Sequence, residues 1–338
     1  MKTRIAAVCV CLVLALTGCS GTTPDPSGRP GALRVAVVLA GLADDSGFHQ
    51  IAADGVRKFQ QDGEISLQIR ESVINPVDAE PIFRQYAAEG YDLVIGWGFS
   101  YADAIFRTAK EFPGSHFLTT GGADVAQKAT DNVATWTYAA EEMGFLLGYI
   151  AGQSKLSPVA VVEGEKQPFV QAQWFGFSQG LRLANPAAVE MPPIYTGSFE
   201  DAGKANQATA TRIREGARLV AANAEGYAAG VASAAKAAGV ATVGLASTTS
   251  EAAREVNIGR VRVDLVPLVR ELLDRLKNKT FARLALKSTL ANRSLVPSDI
   301  AKVATAPDVP GDLGSRVDDL VGQLAGGKVT VQPWTPGR

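Results

Sequence analysis

The sequence predicts an α/β protein with two doubly wound, Rossmann-like lobes joined by a hinge. Short apolar runs such as 33–40 are typical of strands that are buried on both faces of a parallel sheet. Segments with helical spacing of apolar residues, such as 48–59, separate these runs. The alternation starts again near residue 139, and strands that alternate with helices form parallel βαβ units.

The N-terminus has the pattern of an export signal. A short basic flank precedes an uncharged apolar run at 5–16, which is shorter than the roughly 20 residues of a membrane-spanning helix. We therefore expect a signal peptide at 1–18. The following segment, 19–32, is rich in Gly, Pro, Ser and Thr and is expected to be a flexible tether.

The residues at 16–19 resemble the lipobox of bacterial lipoproteins. That resemblance implies cleavage before Cys19, lipid attached to Cys19, and a position on the extracytoplasmic face of the cell membrane. A plain secretory signal with a coincidental cysteine is the alternative. Cys19 would be the only cysteine of the mature chain, so the folded part must be stable without an internal disulfide.

Composition and charge exclude several classes of function. The 33 basic and 34 acidic residues nearly balance without a basic stripe, which argues against a nucleic-acid partner. Only two histidines are present, His49 and His116, so a histidine metal cluster cannot form. Neither a Gly-x-Ser-x-Gly elbow nor a phosphate-binding Lys loop occurs. We therefore expect that the protein is not an enzyme and has neither catalytic residues nor a cofactor.

The elements follow in two runs along the chain. The first run has predicted strands at 33–40, 65–69, 93–96, 116–119 and 133–137, and helices at 47–61, 75–87 and 101–112. The second run has strands at 159–162, 189–195, 219–222 and 241–245, and helices at 139–153, 169–183, 201–215, 227–238, 265–276 and 312–324. We expect one lobe to comprise 33–138 with part of 257–338, and the other to comprise 139–256.

Ligands of open α/β sheets bind outside the carboxyl ends of the strands, so the loops there hold the candidate residues. The first loop, 44–50, offers Asp45, Phe48 and His49. Each has a structural alternative. Asp45 could cap the next helix, Phe48 could belong to the core, and His49 could be a surface residue. The second loop offers, at 96–103, two aromatic rings and a carboxylate: Trp97, Phe99 and Asp103.

The second lobe offers polar groups after three of its strands. Asn223 and Glu225 follow one strand and Ser247 follows another, where they could bind a base or a sugar. Trp174 is a further candidate, although its place on a helix equally fits the core. Glu163 follows the first predicted strand of this lobe.

Four ordered segments resemble motifs of the basic membrane protein family of bacterial lipoproteins, which are solute-binding proteins of ABC transporters of the purine-nucleoside-receptor type. They are DDSGFHQ at 44–50, GWGFSYAD at 96–103, EMGFLLGY at 142–149 and YTGSFED at 195–201. The resemblance implies a type I periplasmic-binding-protein fold. It also implies a monomeric protein that passes a nucleoside-like ligand to ABC permease subunits.

The resemblance also implies an aromatic sandwich around a base, with carboxylates on base and ribose. By position, it places Asp45, Phe48, His49, Phe99 and Asp103 on the first lobe's side of the site. The chain departs from the family where a ribose-binding Asp is replaced by Ala246. Two other functions therefore remain open: an envelope receptor or interaction lipoprotein that has lost transport, and an exported hydrolase that uses carboxylates.

Overall fold

The structure, a computed structural model, describes residues 31–335 except Ser46, Ala224, Glu225 and Ser247. The expected signal peptide, the lipidation site Cys19 and nearly all of the expected tether lie outside the described residues. The candidate ligand-binding residues Glu225 and Ser247 lie outside them as well.

Twelve strands and eleven helices alternate along the described part of the chain. The strands are β1 (Leu33–Leu39), β2 (Ile65–Arg70), β3 (Leu93–Trp97), β4 (His116–Thr120), β5 (Val133–Tyr138), β6 (Val159–Glu163), β7 (Ile194–Tyr195), β8 (Leu219–Ala221), β9 (Ala241–Val243), β10 (Arg260–Val263), β11 (Ala285–Ser288) and β12 (Leu295–Ser298). The helices are α1 (Phe48–Gln61), α2 (Pro76–Ala88), α3 (Ala102–Glu111), α4 (Ala123–Ala126), α5 (Ala140–Gln153), α6 (Pro168–Ala184), α7 (Ala202–Arg214), α8 (Ala228–Ala238), α9 (Glu251–Val256), α10 (Val266–Lys277) and α11 (Leu313–Ala325).

Two parallel sheets organise the molecule, which confirms the predicted fold class. The first sheet has the order β11-β5-β4-β3-β1-β2, and the second has the order β7-β6-β8-β9. We call each sheet with its packed helices the first and the second lobe. In each sheet the strand order reverses once, between β1 and β3 and between β6 and β8, and such a reversal opens a crevice at the carboxyl ends.

The first lobe is a three-layer structure because β1 is buried on both faces. Its residues Val35, Val37 and Leu39 pack against α1 and α10, whereas Ala36 and Val38 pack against α2 and α3. Helix α10 follows the second lobe in sequence but contributes its apolar side to this core. Burial of each such side chain contributes about 1.5–3 kcal/mol, before the entropy cost of ordering it.

Helices α5 and α6 of the second lobe touch through their backbones. A Cβ atom added at Gly144 or Gly148 would lie 1.7 or 2.0 Å from the carbonyl oxygen of Gln173 or Phe177. On α6, Gly176 and Gly180 meet carbonyl oxygens of α5 in the same way. Since real Cβ atoms do not approach so closely, only glycine permits this separation of the two helix axes.

Two connecting strands pair with each other between the lobes. Strand β10 leads from the second lobe to α10, β12 leads from β11 back toward the second lobe, and the two are antiparallel, with Arg260 opposite Ser298 and Val263 opposite Leu295. The last helix, α11, then buries Leu313 in the core of the second lobe. Among the residues that the structure describes, no helix combines the length and the apolar character needed to cross a membrane.

The structure differs from the predicted elements in two ways. The strand expected at 189–195 is reduced to Ile194 and Tyr195, because Pro192 and Pro193 cannot donate ladder hydrogen bonds. Five short elements were not predicted: strands β10, β11 and β12 and helices α4 and α9. None is longer than 6 residues, and β11 becomes a strand through its pairing with β5 at the edge of the first sheet.

We expect Gly148→Ala to lower the free energy of unfolding by about 3 kcal/mol, because the methyl group would force α5 and α6 apart. Urea denaturation followed by circular dichroism measures the change. Gly322→Ala is the matched control, since a Cβ there meets nothing within 4 Å in the middle of α11. The control should gain about 0.5–1 kcal/mol from helix propensity. Equal effects of the two substitutions would contradict the packing explanation.

Candidate functional site

A cavity of about 850 Å³ lies between the two lobes, at the strand-order reversals of both sheets. The first lobe lines it from the loops after β1 and β3, and the second lobe from the ends of β6 and β8 and from α6. This volume lies within the range of about 300–1,000 Å³ that is typical of small-molecule sites. The parallel strands therefore bring residues of both lobes to one shared space.

The Asp45 carboxylate organises the loop between β1 and α1. It accepts hydrogen bonds from the backbone amides of Gly47, His49 and Gln50 at 2.8, 3.2 and 3.0 Å, and it lies 2.7 Å from Nδ1 of His49. Burial opposes ionisation of Asp45, but the hydrogen bonds from His49 and the amides outweigh it and hold the pKa of this carboxyl below its ordinary value. Asp45 thus caps α1 while it borders the cavity.

Trp97 is buried beneath the first turn of α1 and hydrogen-bonds to it. Its indole Nε1 donates a 2.8 Å hydrogen bond to the carbonyl oxygen of Phe48, and its ring is buried. The Phe48 ring stacks on the Trp97 ring with centroids 5.1 Å apart. The Trp136 ring lies 4.6 Å from the Trp97 ring and 6.4 Å from the Phe48 ring. The indoles are therefore the support on which the Phe48 ring rests.

A row of four phenyl rings, the aromatic stack, crosses the cavity from one lobe to the other. Phe48 and Phe99 of the first lobe are nearly parallel, at 14° and 4.9 Å between centroids. Phe99 stacks in turn on Phe169 of the second lobe at 5.4 Å and 11°. Phe199 follows Phe169 at 6.2 Å. Phe99 is 44% exposed, so solvent reaches the row at this residue.

The second lobe contributes a polar wall, made of Glu163, Gln173 and Asn223. Asn223 donates from Nδ2 to Oε1 of Gln173 at 3.0 Å, and the Gly164 amide donates to Oε2 of Glu163 at 2.9 Å. Glu163 is only 1% exposed. Burial raises the pKa of Glu163 to about 7, although the Gly164 amide opposes the shift.

Two arginines of β10 border the cavity near the connecting strands. Arg260 donates to the carboxylate of Asp299 at 2.5 Å and to the carbonyl oxygen of Ala246. Arg262 lies 3.5 Å from Asp264. Both guanidinium groups are therefore balanced by carboxylates, and Arg260 fixes the backbone at Ala246.

The structure places five predicted site residues on the cavity wall: Asp45, Phe48, His49, Phe99 and Asn223. Three others lie away from the wall. Trp97 is buried behind Phe48, and Trp174 packs in the core of the second lobe against Phe177. Asp103 is exposed in the first turn of α3, where a carboxylate favours the helix N-terminus.

Among the cavity-lining residues that sequence reasoning missed are Phe169, Phe199 and Gln173. Phe199 lies in the YTGSFED segment, so the resemblance there could have indicated it. Phe169 follows Pro168 at the start of α6, and proline there signals the beginning of a helix. Because Phe169 does not directly follow a strand, the search at strand ends did not include it. Gln173 has no sequence signal, because an amide in a helix is ordinarily a surface residue.

Comparison with protein families matches residues 32–283 to the family described as PnrA-like ABC transporter substrate-binding proteins. An ABC transporter nucleoside-binding protein of Lactococcus lactis is 27% identical over 325 residues, which cover 92% of this chain and 87% of that protein. Basic membrane protein D of Borreliella burgdorferi is 25% identical over 62% of this chain. The match spans 60% of that relative's own length.

Solved structures agree with these matches. An ABC transporter solute-binding protein from Conexibacter woesei is 36% identical, superimposes with a TM-score of 0.80, and the match covers 89% of this chain and 99% of that one. A solute-binding protein of an ABC transporter from Aeropyrum pernix, 18% identical with a TM-score of 0.72, shares the fold. A more distant structure, 15% identical with a TM-score of 0.60, is a periplasmic solute-binding protein from Actinobacillus succinogenes.

We expect Asp45→Ala to lower the free energy of unfolding by about 1–2 kcal/mol at pH 7, because α1 loses its cap. Since the pKa of Asp45 is lowered on folding, this contribution is present above the ordinary Asp pKa of about 3.9 and is lost as the pH falls further. Urea denaturation at several pH values measures it.

Asp54→Ala, on the exposed side of the same helix, is the control and should change stability by less than about 0.5 kcal/mol. A wild-type advantage over Asp45→Ala that stays constant well below pH 3.9 would contradict the capping role of the ionised carboxylate.

Proposed function

The chain belongs to the family of PnrA-like ABC transporter substrate-binding proteins, and from this we propose that it captures a nucleoside in the interlobe cavity and delivers it to an ABC importer. The family predicted from the sequence motifs is thereby confirmed. Membership also makes the chain a solute-binding protein rather than an enzyme.

The aromatic stack is the observation that carries the nucleoside proposal. Nucleobases have flat π faces, and stacking of a base on an aromatic side chain contributes about 1–3 kcal/mol. Phe48 and Phe169 present rings from opposite lobes, with the exposed Phe99 between them at 4.9 and 5.4 Å. A base that enters where solvent reaches Phe99 stacks in this row and displaces the Phe99 ring.

Hydrogen-bonding groups around the stack favour a ligand with a polar perimeter. The polar wall lies on one side, and Asp45, Arg260 and Thr248 border other parts of the cavity. An apolar aromatic compound would bury the Nε2 group of Gln173, whose Oε1 alone is bonded to Asn223, without offering it an acceptor, at a cost of about 1–3 kcal/mol. The relative from Lactococcus lactis is named as nucleoside-binding, which is consistent with the proposal.

We further propose that the protein is held on the extracytoplasmic face of the cell membrane by lipid on Cys19. The short apolar run before Cys19 and the lipobox-like residues 16–19 support this anchor. The 11 residues between Cys19 and Gly31, if extended, would span roughly 35 Å. Such a tether leaves the cavity free to meet a permease in the same membrane.

We expect Phe169→Ala to weaken nucleoside binding by about 10- to 100-fold, because a base loses one stacking face. Isothermal titration calorimetry with adenosine, guanosine, inosine, uridine, cytidine and thymidine measures the effect. Wild-type protein should also gain about 2.7 kcal/mol of stability when the free ligand is at 100 times its Kd.

Phe175→Ala is the matched control, since Phe175 lies on the same helix, is 38% exposed and does not line the cavity. It should bind as the wild type does. Failure of all six nucleosides to bind the wild-type protein, by calorimetry and by melting, would rule out the nucleoside proposal and leave the family assignment intact.

Cys19→Ser should release the protein from the membrane fraction into the soluble extracytoplasmic fraction, because the thiol that accepts lipid is gone. Labelling of cells with a palmitate analogue, followed by fractionation and blotting, measures both lipid and location. Ser20→Ala serves as the neighbouring control. Unchanged labelling of Cys19→Ser would exclude this anchor.

A further inference from the structure

The polar wall contains a carboxyl group whose surroundings favour its neutral form. Glu163 ends β6, is 1% exposed, and borders the cavity. The titratable groups of the described residues that act on it are the phenols of Tyr227, on the loop before α8, and Tyr195, on β7. Neither phenol supplies a positive charge that would stabilise a carboxylate.

The polar contacts of Glu163 are hydrogen-bond donors, which favour its charged form but do not outweigh its burial. The Gly164 amide donates to Oε2, and the Tyr227 hydroxyl and the Asn223 backbone amide also lower the pKa of Glu163. The Trp174 indole lies close enough to lower this pKa but makes no hydrogen bond of standard geometry. The charged side chains Glu200, Arg260 and Arg262 border the same cavity, and the two arginines already face carboxylates or carbonyl oxygens. Burial is therefore the dominant influence on Glu163.

The neighbouring amides fix which groups the wall presents. Asn223 donates to Oε1 of Gln173, so the Nε2 group of Gln173 remains as a donor. A protonated Glu163 adds an O–H donor to the same wall, because the Asn223 backbone amide acts on Glu163 and the Asn223 side chain bonds to Gln173. Two donors on one wall match a ring edge that carries two acceptors, and the O6 and N7 atoms of a 6-oxopurine form such an edge. Adenine presents one acceptor and one donor there.

We propose that Glu163 binds the ligand in its protonated form, together with Gln173, so that capture of a 6-oxopurine nucleoside takes up a proton. This inference rests on the proposed nucleoside function of the same cavity. A ligand that covers the cavity side of Glu163 completes its burial, and this desolvation disfavours the carboxylate still further. The neutral acid can both tolerate this environment and donate to a carbonyl oxygen or a ring nitrogen.

The sign of the pH dependence follows from the free protein. The pKa of Glu163 is about 7 before the ligand binds and rises on binding, so affinity is highest below pH 7 and falls above it. Between about pH 6 and pH 8 the Kd for inosine should increase about tenfold. Adenosine, which presents a donor on this edge, should bind more weakly than inosine at about pH 6 and lose less affinity at about pH 8.

Calorimetry with inosine tests the inference on the full extracytoplasmic chain. Titrations at about pH 8 in two buffers with different ionisation enthalpies should reveal the uptake of about one proton, which should vanish near pH 5.5. In Glu163→Gln, whose amide donates at every pH, the Kd should be independent of pH and lower than that of the wild type at about pH 8. Glu165→Gln, outside the cavity, is the control that should keep the wild-type profile.

The outcomes separate the two proposals. Inosine binding with a flat pH profile and no proton uptake overturns the role of Glu163 and leaves nucleoside capture standing. Binding that strengthens as the pH rises also overturns it, because the carboxylate would then be the binding form. Absence of binding by every nucleoside at both pH values overturns both proposals. The wild-type proton count remains decisive even where Glu163→Gln fails to fold.

Discussion

The backbone contact between α5 and α6 is the constraint on which the binding wall of the second lobe depends. Helix α5 begins directly after β5, where the chain leaves the first sheet, and α6 carries Phe169 and Gln173 at its start. The four glycines bring the helices together without intervening side chains. A small displacement of α6 would move a ring and an amide of the cavity together, so packing far from the ligand sets the geometry of the site.

The two lobes contribute different chemistry to the cavity. On the first lobe, Asp45 is already satisfied by three amides and His49, and Phe48 rests on Trp97. This side is therefore rigid and mainly aromatic. The second lobe presents the polar wall, in which Glu163 is buried and its pKa is raised. Affinity for a flat ring and discrimination among rings can thus be assigned to opposite sides of one space.

The sequence was sufficient for those parts of the fold that depend on local patterns. Strands such as β1 are buried on both faces and read as continuous apolar runs, so the parallel sheets could be predicted. Strand β11 has four residues with alternating burial and exists because β5 offers an edge, which no local pattern contains. The site residues divide in the same way. Asp45 and Phe48 could be predicted because they lie after a strand, whereas the position of Phe169 depends on how the second lobe faces the first. The sequence could not show whether a tryptophan at a strand end faces the cavity or the core. Trp97 faces away from the cavity because its indole donates to the carbonyl oxygen of Phe48, 49 residues earlier.

The indole pair behind Phe48 gives the molecule a built-in optical signal. Trp97 and Trp136 lie 4.6 Å apart and Trp97 is 5.1 Å from the Phe48 ring, so their excited states are sensitive to anything that joins the row. A guest ring that replaces water beside Phe48 changes the polarity and the electric field around both indoles. Tryptophan emission can therefore record the filling and emptying of the space on the millisecond scale, without a dye and without any alteration of the chain.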